Sequence, residues 1–188
     1  MDDEFYIKLH NMLEVWVTAG FESRDEIIQS AIDSFYDVGE PDEIKALAEP
    51  LTEKFLQEHS AMQRHWNYLT DCDKLDKAFD ELNRAGIIAR QNFWCCQTCG
   101  HAAMDDELKK VRRARGYVFF HEQDTESAVQ SGVLYLSFRS RDYQRERMVK
   151  IGHEIVGVFK RYGFDVHWDG DAKKRIGIYH LDWKRRRA

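Results

Sequence analysis

Three of the four cysteines in this 188-residue chain lie within five residues of one another, with a histidine close behind them. They belong to the run Phe93-Trp94-Cys95-Cys96-Gln97-Thr98-Cys99-Gly100-His101. Thiols and an imidazole this close together favour two kinds of chemistry, which are coordination of a soft metal ion and thiol–disulfide exchange. A third interpretation is that the cysteines are small, reduced, partly buried side chains that cluster by accident. The sequence leaves all three open.

A zinc site is the first of these interpretations. Cys96 and Cys99 have the CxxC spacing that lets two sulfurs bind one ion, and His101 follows as a third candidate ligand. Adjacent residues of an extended segment point to opposite sides, so Cys95 is kept only as an alternative ligand. The chain has no second CxxC or HxxxH at the spacing of a zinc finger. The fourth ligand is therefore expected to be remote in sequence.

The order of the predicted elements suggests that remote ligand. A strand at 87–93, a helix at 101–115 and a strand at 117–121 favour a right-handed parallel crossover, in which both strands end at the same edge of the sheet. Binding crevices form at such carboxyl edges. We therefore expect His121 to be the fourth zinc ligand, with Asp124 as an alternative. Asp124 also fits a competing role as the N-cap of the next helix.

Thiol chemistry is the alternative function. Thioredoxin-like folds place CxxC between a strand and a helix, where the helix N-terminus lowers a thiol pKa. Those folds also carry a cis-proline facing the cysteines, whereas the prolines here, Pro41 and Pro50, lie far upstream. A thiol-redox or cysteine-dependent enzyme that uses Cys96 and Cys99 stays the second hypothesis.

Composition sets the class of protein. With 43% hydrophobic and 32% charged residues, the chain is long enough for one ample domain or two small ones without disulfides. An acidic N-terminus without an apolar run predicts no signal peptide, and no stretch of about 18 apolar residues predicts a membrane span. We expect a cytoplasmic protein with reduced or metal-bound thiols. Cys72 shares a helical face with Leu75 and Phe79 and is predicted to lie in the core.

Charge is unevenly distributed along the chain. Residues 1–100 carry 9 basic and 20 acidic side chains, and residues 101–188 carry 19 basic and 13 acidic ones. The basic runs 109–115 and 184–187 are where nucleic acid would bind. We expect instead that the first run lies on the water-facing side of a helix and that the second is a frayed terminus. Nucleic acid is therefore not the expected partner.

Hydrophobic periodicity predicts helices first and a mixed sheet afterwards. The first helix is predicted at 3–19, the second begins after a capping box at Ser23, and the third begins at Pro41, with Pro50 kinking or dividing it. Two further helices are predicted at 60–69 and 71–85. Strands are predicted at 87–93, 117–121, 133–138, 164–169 and 176–181, with helices between them at 101–115, 125–130 and 143–162. The fold class is α+β (mixed α/β). A helical region, 1–70, precedes a β-α-β-α-β-α-β-β domain, 71–188, and the two are either separate or packed as one unit.

Two segments of the chain resemble a known family. They are LDKAFDEL with GIIA and FWCCQTCG, within residues 75–100, and GYVFFHEQDTE at 116–126. The family is an uncharacterised bacterial domain family of unknown function, and the resemblance covers about residues 70–183. It implies no activity, cofactor or catalytic residue.

Catalytic motifs are missing from the sequence. There is no GxSxG elbow, P-loop, HExxH or dinucleotide fingerprint. We therefore favour a cytoplasmic, non-enzymatic binding or interaction protein with a protein partner and a structural zinc held by the CCxxCxH loop. A small acidic protein without catalytic motifs also fits an inhibitor or immunity-type partner of a basic protein.

Overall fold

The computed structural model describes residues 3–187, which form two compact units. One unit is helical and consists of residues 3–70 and 184–187, and the other, residues 71–183, contains the sheet. We expected the domains to be 1–70 and 71–188, whose outermost residues 1, 2 and 188 lie outside the described range. The predicted α+β fold class is confirmed.

The basic end of the chain is part of the helical unit. The Arg187 guanidinium donates to the carbonyl oxygen of Val17 at 2.9 Å, and its backbone N–H donates to Gln63 Oε1 at 2.8 Å. The Arg185 guanidinium lies 4.2 Å above the ring of Phe21. The expectation of a frayed terminus at 184–187 is therefore wrong, because backbone carbonyls and an aromatic ring hold these side chains.

Three helices build the first unit: α1 (Asp3–Ala19), α2 (Arg24–Ser34) and α3 (Pro41–Gln63). The capping box predicted at the start of α2 is present, with Ser23 N–H donating to Glu26 Oε2 at 2.7 Å. Pro50 does not divide α3, which is continuous over 23 residues. The helix expected at 60–69 ends instead at Gln63. The buried side chains of the unit include Leu9, Leu13, Val17, Ile27, Ala31, Ile44, Ala48 and Phe55.

The second unit alternates helices and strands around one sheet. Its elements are α4 (Asp71–Arg84), β1 (Ile87–Arg90), α5 (Gln97–Lys110), β2 (Gly116–Phe119), α6 (Glu122–Ser131), β3 (Leu134–Ser140), α7 (Arg145–Arg161), β4 (Asp165–His167) and β5 (Ile176–Tyr179). The strand order is β1-β2-β3-β5-β4, with β1 and β2 parallel and the other pairs antiparallel. The predicted parallel crossover from β1 through α5 to β2 is confirmed.

The two faces of the sheet are buried differently. On one face α4 and α7 pack with the sheet, and Phe79 of α4 makes edge contacts with Phe120 and Phe159. On the other face α5 covers Tyr117 and Phe119 with buried Met104 and Leu108. Side chains alternate along a strand, so the β3 residues opposite Tyr117 and Phe119 point to the α5 face as well. The register therefore places Ser137 and Arg139 beside α5.

Candidate functional site

The cysteine loop between β1 and α5 is tightly curled. Asn92 has φ 47° and Trp94 has φ 65°, so two non-glycine residues adopt the left-handed region. Backbone hydrogen bonds join the loop to the end of β2, from Phe93 N–H to the Phe120 oxygen at 2.8 Å and from Glu122 N–H to the Trp94 oxygen at 3.0 Å. The two strand ends are thus neighbours, as the crossover predicted.

This curl brings the thiols of Cys95, Cys96 and Cys99 together, and we call these residues the tri-cysteine cluster. Their sulfur atoms all lie within 4.8 Å of one another. The loop carries them at the surface, where Cys95 and Cys99 are exposed and Cys96 is half-buried. Extended geometry would have put Cys95 and Cys96 on opposite sides, but the curled backbone brings Cys95, kept above as an alternative ligand, beside the other two thiols. Cys72 is buried in α4, as predicted.

The first turn of α5 places two of these thiols at a helix N-terminus. α5 begins at Gln97, four residues earlier than expected, which makes Cys96 its N-cap and puts Cys99 in the first turn. The pKa of the Cys96 thiol is lowered, chiefly by hydrogen bonding from the backbone N–H and the thiol of Cys99. The pKa of Cys99 is raised to about 11 by hydrogen bonding and repulsion from Cys96 and Cys95. Of these two thiols, Cys96 therefore loses its proton first.

His101 is not brought to the cluster. Its Nδ1 lies 2.9 Å from the Tyr117 hydroxyl, which donates to Asp105 Oδ1 at 2.9 Å. Burial, with the positive charge of Arg139, lowers the pKa of His101 to about 4. Residues two apart on an α-helix point about 200° away from each other, so His101 faces the sheet while Cys99 faces the loop. The prediction of His101 as third ligand placed this residue at the first position of the helix, whereas it lies in the second turn.

His121 and Asp124 are also engaged elsewhere. His121 is the N-cap of α6, and its Nδ1 accepts the Asp124 backbone N–H at 3.3 Å. The Asp124 carboxylate accepts the His121 backbone N–H at 3.1 Å and forms an ion pair with Arg175. Burial lowers the pKa of His121. These two residues, expected as remote ligands, therefore form a capping box that starts α6, and the N-cap considered at Asp124 lies instead at His121.

A surface groove of about 500 Å³ adjoins the cluster on one flank of α5. Cys99 lies on its rim, with Phe93 and Trp94 as aromatic walls and Ala102 and Ala103 along the helix. Trp94 is 53% exposed, which is unusual for a side chain of this size. The groove thus presents aromatic and alanine surface beside the thiols.

The fold and the site together define an α+β protein with a surface cluster of three thiols at the start of a helix. The chain belongs to the family described as Domain of unknown function (DUF6891), whose model matches residues 2–187. The resemblance to an uncharacterised family is thereby confirmed, and the match extends beyond 70–183 to the helical unit. Comparison with curated proteins and with solved structures finds no match. Among the described residues, none of the helices has the length and apolar character needed to cross a bilayer.

Proposed function

We propose that the protein is a zinc-binding interaction protein in which the tri-cysteine cluster holds the ion. The observation that carries the proposal is the approach of three sulfurs to within 4.8 Å of one another. Zinc binds thiolates at about 2.3 Å in tetrahedral geometry, which places neighbouring sulfurs about 3.8 Å apart. Side-chain rotations in the exposed loop supply the remaining adjustment. The α5 N-terminus favours negative charge on the sulfur of Cys96.

Three thiolates leave one tetrahedral position for a ligand from outside the cluster. His101 faces the sheet with its Nδ1 bonded to the Tyr117 hydroxyl, and the polar side-chain atoms of His121 and Asp124 are held in the α6 capping box and the Arg175 ion pair. A fourth ligand would then be water or a donor group from a partner protein. Zinc sites with three protein ligands typically keep such an exchangeable position. The proposed role is therefore a metal-dependent contact with a protein partner in a reducing, cytoplasmic setting, next to the apolar groove.

A thiol–disulfide exchange protein is the second candidate. It is favoured by one observation, the placement of Cys96 at the N-cap of α5 with a lowered pKa and Cys99 three residues later. In that reaction the Cys96 thiolate attacks a partner disulfide, forming a mixed disulfide and releasing one partner thiolate. Cys99 then loses its proton and attacks the Cys96 sulfur, which releases the second partner thiolate and leaves a Cys96–Cys99 disulfide.

The experiment that separates the two is a zinc titration against a competing chelator, performed on protein purified without a histidine tag. We expect one zinc per chain in the wild type and loss of tight binding in Cys95→Ser, Cys96→Ser and Cys99→Ser alike. Cys72→Ala is the matched control, because Cys72 is a buried cysteine outside the cluster. Retention of zinc by Cys95→Ser would contradict the three-thiolate site. Absence of zinc together with a reversible Cys96–Cys99 disulfide would support exchange chemistry instead.

A further inference from the structure

A second pocket lies on the other flank of α5, away from the groove beside Cys99. It measures about 290 Å³ and lies between the first turns of α5, the middle of β3 and the segment that precedes β5. Its lining includes His101, Ser137, Arg139, Lys173, Lys174 and Arg175. We call it the cationic pocket, because four of these side chains are basic and none is acidic.

The basic side chains keep part of their hydrogen-bonding capacity free. Arg139 reaches Asp105 at only 3.5 Å, Lys174 is paired with Asp169, and within the described residues Lys173 forms no ion pair. Arg175 contacts Asp124 and the backbone oxygen of Tyr135 through one guanidinium nitrogen, Nη2. An anion in the pocket would therefore meet unused donors from several directions.

Two buried polar atoms at the pocket have no partner among the described residues. Ser137 is 2% exposed and its hydroxyl makes no hydrogen bond. The Nε of Arg175 is likewise buried and unpaired. Buried polar groups in folded proteins are nearly always hydrogen-bonded. Two buried groups without a hydrogen bond at one pocket therefore indicate that an oxygen atom of a ligand forms the missing bonds.

We propose that the cationic pocket binds the phosphate group of a small phosphate monoester. The planar guanidinium groups of Arg139 and Arg175 match the geometry of phosphate oxygens, and Gln97, the first residue of the 14-residue α5, lines the pocket. Met148 supplies apolar wall for the organic part of the ligand. The volume lies at the small end of ligand pockets, which suits a compact molecule.

The same observations argue against a polymer of phosphodiesters. The basic runs 109–115 and 184–187 contribute no residue to the pocket lining. A nucleic-acid surface needs an extended basic stripe, whereas these cations converge on one concavity. The pocket residues are also distinct from those of the tri-cysteine cluster, so phosphate binding is tested separately from zinc binding.

Isothermal titration with inorganic phosphate and with glycerol phosphate, at constant ionic strength in chloride, tests the assignment. We expect saturable 1:1 binding of both, with the monoester tighter because only it contacts the apolar wall. Arg139→Gln should weaken binding by about tenfold or more through the lost charge-assisted hydrogen bonds, and Lys173→Gln by about threefold. Arg112→Gln removes an exposed cation outside the pocket and should change binding less than about twofold.

Three results would overturn the proposal: no saturable binding up to about 10 mM ligand, equal weakening by Arg112→Gln, or preference for a carboxylate such as citrate over both phosphates. A thermal unfolding curve accompanies each variant. If Arg139→Gln does not fold, binding by the Lys173→Gln variant becomes the deciding measurement. Lys173 is exposed, and its substitution removes no internal contact of the pocket wall. Undiminished binding by Lys173→Gln would then reject the site.

Discussion

The backbone of Gly100 lies directly against the aromatic ring of Phe119. A Cβ built at Gly100 would lie 2.8 Å from Cζ of that ring and closer still to Cε2. This approach sets the height of the first turn of α5 above β2. Because Cys96 and Cys99 lie on one side of that turn and His101 on the other, the contact positions both the tri-cysteine cluster and the cationic pocket.

The first prediction concerns this contact. Gly100→Ala should lower the free energy of unfolding by about 1–3 kcal/mol, since the added methyl group forces α5 away from Phe119. Gly157→Ala in α7 is the control, because its Cβ would be 3.6 Å from the nearest atom, in ordinary contact. That control should be neutral or stabilising by about 0.5–1 kcal/mol. Urea unfolding compares the two, and equal stability of both variants would show that the close approach is unimportant.

The other end of α5 depends on one arginine. Arg141 donates from Nε to the Ala114 oxygen at 2.6 Å and from Nη2 to the oxygens of Leu108 (2.7 Å) and Val111. Arg141→Met should cost about 1–3 kcal/mol, because it leaves carbonyl groups at the end of the helix without this donor. Arg145→Met, at an exposed position, should stay within about 0.5 kcal/mol of wild type in the same unfolding assay. A similar loss of unfolding free energy in Arg141→Met and Arg145→Met would show that the removed charge, and not the hydrogen bonds to the carbonyl groups, causes the effect.

The thiols of the metal-free chain should differ in reactivity. The lowered pKa of Cys96 gives it the larger thiolate fraction at neutral pH, while the pKa of Cys99 near 11 keeps that thiol protonated. Limited alkylation with iodoacetamide, read by peptide mass spectrometry, should label Cys96 before Cys99. The buried Cys72 should remain unlabelled until the chain unfolds. Labelling of Cys99 ahead of Cys96 would contradict the proposed order of deprotonation.

Stability should fall on mild acidification because of His121. Burial keeps its folded-state pKa below the ordinary 6.5, against the raising effect of Asp124 and together with the lowering effect of Arg175. The unfolded chain therefore binds more protons as the pH falls through about 6.5, and the unfolding free energy decreases there. His121→Asn retains a capping side chain without the titration, so its curve between about pH 8 and pH 5 should be flatter.

His59, whose pKa is also lowered, contributes equally to both curves, and the pKa of His101 loses in the variant only the smallest of its lowering causes, the charge of His121. Urea unfolding at several pH values measures the difference in slope. Parallel curves for the wild type and His121→Asn would show that protonation of His121 is not coupled to unfolding.

Much of the fold followed from periodicity. The stripe of apolar residues in α1, the capping box at Ser23 and the crossover from β1 to β2 are local patterns that tertiary contacts did not override. The start of α5 was missed because Cys96 is an uncommon N-cap, whereas Ser, Thr, Asp and Asn are the residues that usually mark a helix start. That four-residue error also misplaced His101.

The composition of the site depended on features without a sequence signal. Positive φ at Asn92 and Trp94 curls the loop and recruits Cys95, and a tryptophan in that conformation cannot be anticipated from residue type. Arg139 and Arg175 are 36 positions apart in the chain, and only the strand register and the position of α5 bring them to one pocket. Sequence reasoning therefore found the thiols and missed the cations.

X-ray absorption at the zinc edge of the metal-loaded protein is the most direct test of the three-thiolate site. We predict three sulfur ligands at about 2.3 Å and one lighter ligand, oxygen or nitrogen, completing the tetrahedron. Cys95→Ser should lower the sulfur count by one. A site with two sulfurs and two histidine nitrogens, or a protein that takes up no zinc, would contradict the account.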